Sequence, residues 1–341
     1  MDYNQHLRFE LVDRSFLNIV KRDIAKLAEN YGHSETEIGK INIIVAEMAS
    51  NLLKHTPSGG EILVKPLAKE NQITGIEILS LDNGPGMSHP QQMLEDGVST
   101  HGSSGEGLGA IKRLSDEFDL YSTKESGTVL LTRLYKKNYK PKISQRSKFQ
   151  ISAVMVAKPG ETVCGDGWMK IEQNDCCCLL IVDGLGHGEN AHQATKEAIA
   201  AFQNQVCASP AHGLRQIHAD ITRTRGGVMN LAVINPAENA FTYCGIGNIA
   251  GRLISAEGSK SIISYNGIVG HNIPNTLHDH HLPWNNSYVF VLHSDGLKSR
   301  WELARHPDLL KHDPSVIAAV LYKEGTRKTD DTLVIVGKTR S

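Results

Sequence analysis

Between Ser34 and Leu52 the chain carries an apolar stripe. Ile38, Ile41, Val45, Met48 and Leu52 recur at three- and four-residue spacing, which predicts a helix with one buried face. Ser34 and Glu37 form an S-x-x-E pattern just ahead of the stripe and predict a capping box at the helix start. Glu47 and Asn51 stand four residues apart, so they project from one face of this helix. Apolar stretches at about 61–67 and 73–81 predict strands. A loop from Asp82 to about Gly107 then leads into a second helix, Leu108 to about Phe118, and a closing strand lies near 128–135. From about residue 149 the pattern becomes strand-rich, with two helices. Two of its apolar runs, CCCLLIVD and YVFVLHSD, end in an aspartate.

Between these halves lies KKNYKPKISQRSK, residues 136–148, with six basic residues, no acidic residue and one proline. It reads as a solvated linker. The expected organisation is a domain over 1–135, the linker over 136–148 and a second domain over 149–341, since 341 residues exceed one ordinary core. Lys and Arg total 36 against 37 Asp and Glu. That balance weighs against nucleic-acid binding through a broad basic field. No apolar run reaches the roughly 18 residues of a membrane helix, and the first residues lack a signal pattern, so a cytoplasmic protein without a membrane partner is expected. Six cysteines, three of them consecutive at 176–178, do not suit a metal cage, because neighbours on a strand face opposite ways. Reduced, buried thiols are expected.

Three segments of the first half gain meaning together: Glu47-Met-Ala-Ser-Asn51, Asp82-Asn-Gly84-Pro-Gly86 and Gly105-Glu-Gly107-Leu108-Gly109. Glycines let backbone approach phosphates, and free N–H groups at a helix start attract anions. An Asn oxygen can complete a Mg²⁺ shell otherwise made of phosphate and water. Glu47 is placed to activate an attacking hydroxyl, and Asp82 to accept from an adenine amino group. These segments resemble the N, G1 and G2 boxes of the GHKL ATPase family, in the family's order. Residues 96–122 resemble its RsbT-type switch kinases. The resemblance implies a Bergerat fold, with helices on one face of a mixed sheet and Mg-ATP under a lid near 87–106. It implies that Asn51 ligates Mg²⁺, that Asp82 reads adenine, and that Gly84, Gly86, Gly105, Gly107, Leu108, Gly109 and Thr128 complete the nucleotide site. Glu47 is its candidate base.

The second half places aspartates in telling contexts: Asp166 in GDGW, Asp183 before Gly184 in DGLGHG, Asp295 in HSDGL, and Asp330 and Asp331 before TLV. Converging carboxylates imply a cation, because an unpaired buried charge is costly. All-oxygen ligands suit Mg²⁺ or Mn²⁺, and a pair of such ions can generate a nucleophile and clamp a phosphoryl group. His187 is either a general acid or part of a tight turn. Arg223 and Arg225 suit a phosphate, with a basic loop the plainer reading, and LHDHHLP reads as a surface loop. The aspartate motifs resemble the SpoIIE-type branch of the metal-dependent (PPM) serine/threonine phosphatases, and the compact length resembles the RsbX-type members. The resemblance implies an α-β-β-α sandwich whose dimetal site uses Asp183 as the bridge, the Gly184 carbonyl, Asp295 and Asp330, with Asp166 nearby. Asp183 and Asp295 are the candidate catalytic residues there. Thr332 follows Asp331 directly, without the family's usual intervening residue, so Asp330 and Asp331 compete for the ligand role, and Asp330 is chosen.

The expected whole is an α/β (α+β) signalling protein using ATP with Mg²⁺ in one domain and two Mn²⁺ or Mg²⁺ ions in the other. It would phosphorylate and dephosphorylate serine or threonine on STAS-domain proteins of a partner-switching pathway such as a stressosome. A sigma factor or other downstream regulator and a second copy of the chain are further candidate partners. The alternative is a phosphatase whose first half is a non-catalytic, ATP-dependent anti-sigma-like clamp.

Overall fold

The computed structural model describes residues 3–56, 59–94, 107–124, 126–139, 147–173, 175–203 and 209–340. The chain divides into two compact units, residues 1–145 with 302–323, and residues 146–301 with 324–341. The expected second domain, 149–341, is thus interrupted: its residues 302–323 group with the first unit. Gly105 and most of the expected lid lie outside the described residues.

The first unit contains β1 (Leu7–Leu11), α1 (Ser15–Asn30), α2 (Glu35–His55), β2 (Gly60–Lys69), β3 (Gln72–Asp82), α3 (Gly107–Leu114), β4 (Glu117–Thr123) and β5 (Gly127–Tyr135). Its sheet runs β1-β2-β3-β5-β4. Every pairing is antiparallel, not mixed as expected. Tight β2–β3 and β4–β5 connections leave no room for the crossover a parallel pair needs. The capping box forms: the Ser34 side chain accepts from the Glu37 N–H, and the Ser34 N–H donates to Glu37 Oε2 at 2.7 Å. Ile41, Val45, Met48 and Leu52 pack with Val20 and Ile24 of α1 against Ile62, Val64, Ile76 and Ile78 of the sheet.

The helix expected to reach Phe118 ends at Leu114, and Glu117–Thr123 is a strand. Asp116 accepts from the Tyr135 N–H at 2.7 Å, which fixes the chain beside β5. Pairing along that strand overrides the short helical stripe. Nor are helices confined to one face of the sheet. Lys65, Glu77 and Arg133 point away from the α1–α2 side and are buried. Within this unit the 302–323 segment, including most of the helix Pro314–Gly325 (α6), supplies their partners. Arg133 donates Nε–H to Glu77 Oε2 at 2.7 Å and both Nη groups to the Asp313 carboxylate at 2.9 Å. Nη2 also donates to Ser315 at 2.8 Å, and Nη1 to Glu117 at 2.9 Å. Lys65 and His6 each approach Glu77 Oε1 at 3.3 Å. Burial alone would raise the Glu77 pKa, but the charges of Lys65 and Arg133 pull it well below the usual glutamate value.

The second unit contains β6 (Phe149–Val156), β7 (Asp166–Gln173), β8 (Cys176–Gly184), α4 (Glu189–Gln203), α5 (Pro210–Asp220), β9 (Gly227–Asn235), β10 (Ala240–Ile246), β11 (Ala250–Ser255), β12 (Gly258–Ile262), β13 (His280–Pro283), β14 (Val289–His293) and β15 (Thr332–Thr339). They form two sheets, β13-β10-β9-β8-β7 and β12-β11-β14-β15-β6. Met155, Ile181, Phe241, Trp284, Phe290 and Ile335 fill the space between them. On the outer face of the first sheet, Leu180, Val182 and Leu231 pack with Phe202 of α4 and Leu214 and Ile217 of α5. The stretch expected as a histidine surface loop is a loop only over residues 277–279; His280–Pro283 is the edge strand β13, paired with β10, where His280 stacks on Tyr243. Cys164, Cys177 and Cys244 are free and buried, as expected. Cys178 departs from that expectation, being disulfide-bonded.

Candidate functional site

The first unit assembles the nucleotide-site segments from two helices and two strand ends. Glu47 and Asn51 are half-buried on α2. Glu47 lies against the start of α3: a Cβ placed on Gly107 would sit 2.7 Å from Glu47 Oε2. Only a glycine lets the two approach so closely. The N–H groups of Gly107, Leu108 and Gly109 stand in the first turn of α3, where an α-helix has no intrahelical acceptor for them and an anion is favoured. Asp82 closes β3, and its Oδ1 accepts from the Gly84 N–H at 2.7 Å and the Thr128 N–H at 3.3 Å. These bonds orient the carboxylate and leave Oδ2 without a hydrogen-bond partner among the described residues. Gly86 has φ +61°, and a Cβ there would collide with the Thr123 carbonyl at 1.9 Å. Thr128 shares a 3.0 Å hydroxyl contact with Ser122, whose Oγ accepts from the Met87 N–H at 2.9 Å. Asn51, Asp82, Gly84, Gly86, Gly107, Leu108, Gly109 and Thr128 therefore belong to one unit.

In the second unit the aspartates gather at the start of β7, the ends of β8 and β14, and the start of β15. Asp166 and Asp183 are direct register partners on β7 and β8, so their side chains emerge on one face as close neighbours. Asp166 is 2% exposed. Burial, then the neighbouring Asp183 charge, raises its pKa well above the aspartate range, against the lowering effect of a 2.6 Å hydrogen bond from Ser294 Oγ. Asp183 keeps some solvent exposure, yet burial followed by repulsion from Asp295 and Asp330 pushes its carboxyl up to about 8. Asp295 accepts from the Asn248 amide at 2.9 Å. Asp331 is already engaged: Oδ1 accepts from the Lys158 N–H at 2.8 Å and Oδ2 from the Gly165 N–H at 2.9 Å, pinning the turn that carries Asp166. Asp330 Oδ1 accepts from the Asp331 N–H at 2.9 Å, and its Oδ2 has no hydrogen-bond partner among the described residues.

Among the described residues no group of three or more His, Cys, Asp or Glu side chains is drawn together closely enough to hold a metal ion as it stands. The aspartates instead form an open, mutually repelling group of hard oxygen donors, fixed by hydrogen bonds from Ser294 and Asn248. That chemistry fits Mg²⁺ or Mn²⁺. His187 is exposed, and its Nδ1–H donates to Glu161 Oε1 at 2.7 Å. Ser294, Asn248 and Glu161 were not legible as site residues. Ser294 carried a signal, since it precedes Asp295. Asn248 and Glu161 reach the site only through tertiary folding.

Comparison with known proteins assigns both units. The family described as "Histidine kinase-like ATPase domain" matches residues 16–134. The family described as "Stage II sporulation protein E (SpoIIE)" matches residues 173–339. The serine/threonine-protein kinase RsbT of Bacillus subtilis (strain 168) is 33% identical over 102 residues, covering 30% of this chain and 75% of that protein. The chain joins a histidine kinase-like ATPase domain to a SpoIIE-type phosphatase domain. The phosphoserine phosphatase RsbX of the same organism is 25% identical over 203 residues, 58% of this chain and 98% of that protein. A solved structure from work on the bacterial stressosome, "a modular system that has been adapted to control secondary messenger signaling", superposes with a TM-score of 0.52 at 26% identity, covering 56% of this chain and all of that one. The Glu47–Asn51, Asp82–Gly86 and Gly107–Gly109 segments fall inside the ATPase-family match. Asp183, Asp295 and Asp330 fall inside the SpoIIE match, whereas Asp166 lies just ahead of its start. No helix among the described residues is long and apolar enough to cross a membrane.

Proposed function

We propose that this protein is a bifunctional partner-switching regulator: a divalent-metal phosphoserine/phosphothreonine protein phosphatase joined to a Mg-ATP-dependent serine/threonine protein kinase domain, with STAS-domain proteins as substrates. The observation that carries the reading is the meeting of Asp166 and Asp183 as register partners, where burial and neighbouring carboxylates raise the pKa of both and no ion pair to them is found among the described residues. Such a cluster is costly unless a bound ion neutralises it. Asp183, the Gly184 carbonyl, Asp295 and Asp330 would hold two Mn²⁺ or Mg²⁺ ions, with Asp166 beside them. Asp330 is favoured over Asp331 because both Asp331 oxygens serve the Gly165 turn and Lys158. When bound, the ions supply a water nucleophile at neutral pH and stabilise charge on the transferred phosphoryl group. Ser294 and Asn248 hold the carboxylates in orientation. In the ATPase domain, Asn51 would complete the Mg²⁺ shell, Asp82 would read the adenine through Oδ2, and Glu47 would take the proton from the attacking serine or threonine hydroxyl. The likeness to RsbT and RsbX, and to a stressosome structure, supports the STAS-domain substrates.

The test begins with p-nitrophenyl phosphate and the full-length chain, wild type beside Asp183→Asn. Mn²⁺-dependent hydrolysis lost in the variant is expected, and Mn²⁺ binding without hydrolysis in the wild type would refute the phosphatase reading. Glu47→Ala is expected to abolish phosphate transfer from ATP to a STAS protein while ATP still binds. A wild type that binds ATP and a STAS partner but transfers nothing would leave the first domain as a clamp.

A further inference from the structure

The turn between α5 and β9 carries Arg223 and Arg225 and is braced internally. Thr224 Oγ1 donates to the Ile221 carbonyl at 2.8 Å and accepts from the Gly226 N–H at 2.9 Å. The Arg225 carbonyl accepts from the His271 ring at 2.8 Å. A further bond ties this turn to the metal-carboxylate turn: the Leu185 N–H, two residues past Asp183, donates to the Gly226 carbonyl at 3.1 Å. The Arg225 guanidinium then lies across Gly186, with Nη1 3.3 Å from where a Cβ would stand. Arg223, Arg225, His271, Leu185 and Gly186 line one open groove of about 830 Å³. Glu197, the acidic residue in that lining, accepts from the Gln193 amide at 2.9 Å, which occupies one of its oxygens. Both arginines are exposed, and neither guanidinium forms an ion pair with a carboxylate among the described residues.

We infer that this groove is the seat of the phosphorylated residue of the substrate protein, with Arg225 as its phosphate-binding residue and Arg223 as a second, outer contact. The inference rests on the phosphatase reading above and deepens it. A guanidinium fork pairs with two oxygens of one phosphate, and it supplies the positive charge that a dianion needs beside an acidic cluster. Arg225 is anchored by its own main chain, so little order is lost when it pairs. Its place over Gly186, three residues past Asp183, sets the groove beside the turn that leaves the aspartate cluster. The apolar side chain of Leu185 on the groove wall leaves room for the polypeptide flanking the phosphoresidue.

The test separates phosphate from metal. Full-length wild type, Arg225→Ala, Arg225→Lys, Arg223→Ala and, as a distant charge control, Lys260→Ala are first titrated with Mn²⁺, following free Mn²⁺ by electron paramagnetic resonance. The Mn²⁺-loaded proteins are then titrated calorimetrically with inorganic phosphate. Arg225→Ala is expected to weaken phosphate binding about tenfold or more, the worth of a charged hydrogen bond. Arg225→Lys should restore only part of it, Arg223→Ala should lose less, and Lys260→Ala should match wild type, all with unchanged Mn²⁺ affinity. Phosphate binding by Arg225→Ala equal to wild type overturns the inference. So does a parallel fall in Mn²⁺ affinity, which would mark Arg225 as merely bracing the metal turn. A wild type that takes Mn²⁺ but no phosphate overturns this inference alone, whereas one that takes no Mn²⁺ overturns the phosphatase reading beneath it.

Discussion

Glu77 and Asp166 are both carboxylates with almost no exposure, 1% and 2%, yet their surroundings push them in opposite directions. Around Glu77 the chain places Arg133, Lys65 and His6, and its pKa falls well below the ordinary value. Around Asp166 it places more carboxylates, Asp183 first among them, and the pKa rises. The first cluster completes its own charge and has the character of architecture. The second leaves negative charge unanswered, which folding tolerates where an external cation answers it. Burial alone would not have told them apart, because desolvation opposes the charged form in both.

The comparison can be broken most forcefully at Arg133. Arg133→Ala leaves Glu77 and Asp313 without their shared guanidinium, and a loss of about 3–5 kcal/mol in denaturant unfolding is expected for one partner removed from a buried pair. Asp166→Asn should do the reverse in metal-free protein, leaving the unfolding midpoint unchanged or raised, because it removes repulsion and keeps an acceptor for Ser294. A large loss there would place the two clusters in one class. Next comes the metal itself: Mn²⁺ at about a hundredfold over its dissociation constant should stabilise the wild type by about 2.7 kcal/mol. Asp183→Asn should abolish that gain together with at least about a hundredfold of p-nitrophenyl phosphate hydrolysis.

Acid and base should sharpen the contrast in the metal-free chain. Glu77 has a depressed pKa, so its contribution is present above the ordinary glutamate value of 4.5 and is lost as pH falls through its lower folded value. Asp183 has a raised one, so its protonated form favours the fold at low pH, and that contribution is lost as pH rises from 3.8 towards about 8. Denaturation followed across pH in chelator should show both limbs. Glu77→Gln should flatten the acid limb and Asp183→Asn the alkaline one. Smallest of all, Ser34→Ala should cost about 1 kcal/mol through the lost cap of α2, measurable as a lowered urea midpoint without loss of metal binding.

Much of this arrangement was readable along the chain. The Ser34–Glu37 box and the Ile41–Leu52 stripe are local patterns, and the helix follows them within a residue. The aspartate motifs were likewise legible as turns at strand ends, because apolar runs stop there. Reading went astray where pairing partners decide conformation. Glu117–Thr123 has residues that suit either state, and only the ladder to β5 makes it a strand. His280–Pro283 is polar enough for a loop, but β10 recruits it as an edge.

Order, spacing and periodicity thus belong to the sequence: two units, a glycine-rich nucleotide scaffold, and aspartates at the ends of strands. They are set by interactions within a few residues, where backbone preference and apolar period act. Which charges meet is a matter of three dimensions. Arg133 lies 180 residues from Asp313, and Asp166 lies 128 from Ser294. No local pattern reports whether a buried carboxylate will find a cation, another carboxylate or a hydroxyl. Coulomb energy depends on distance through space and on the water excluded around it, so only the folded chain decides which buried carboxylate meets cations and which meets other carboxylates.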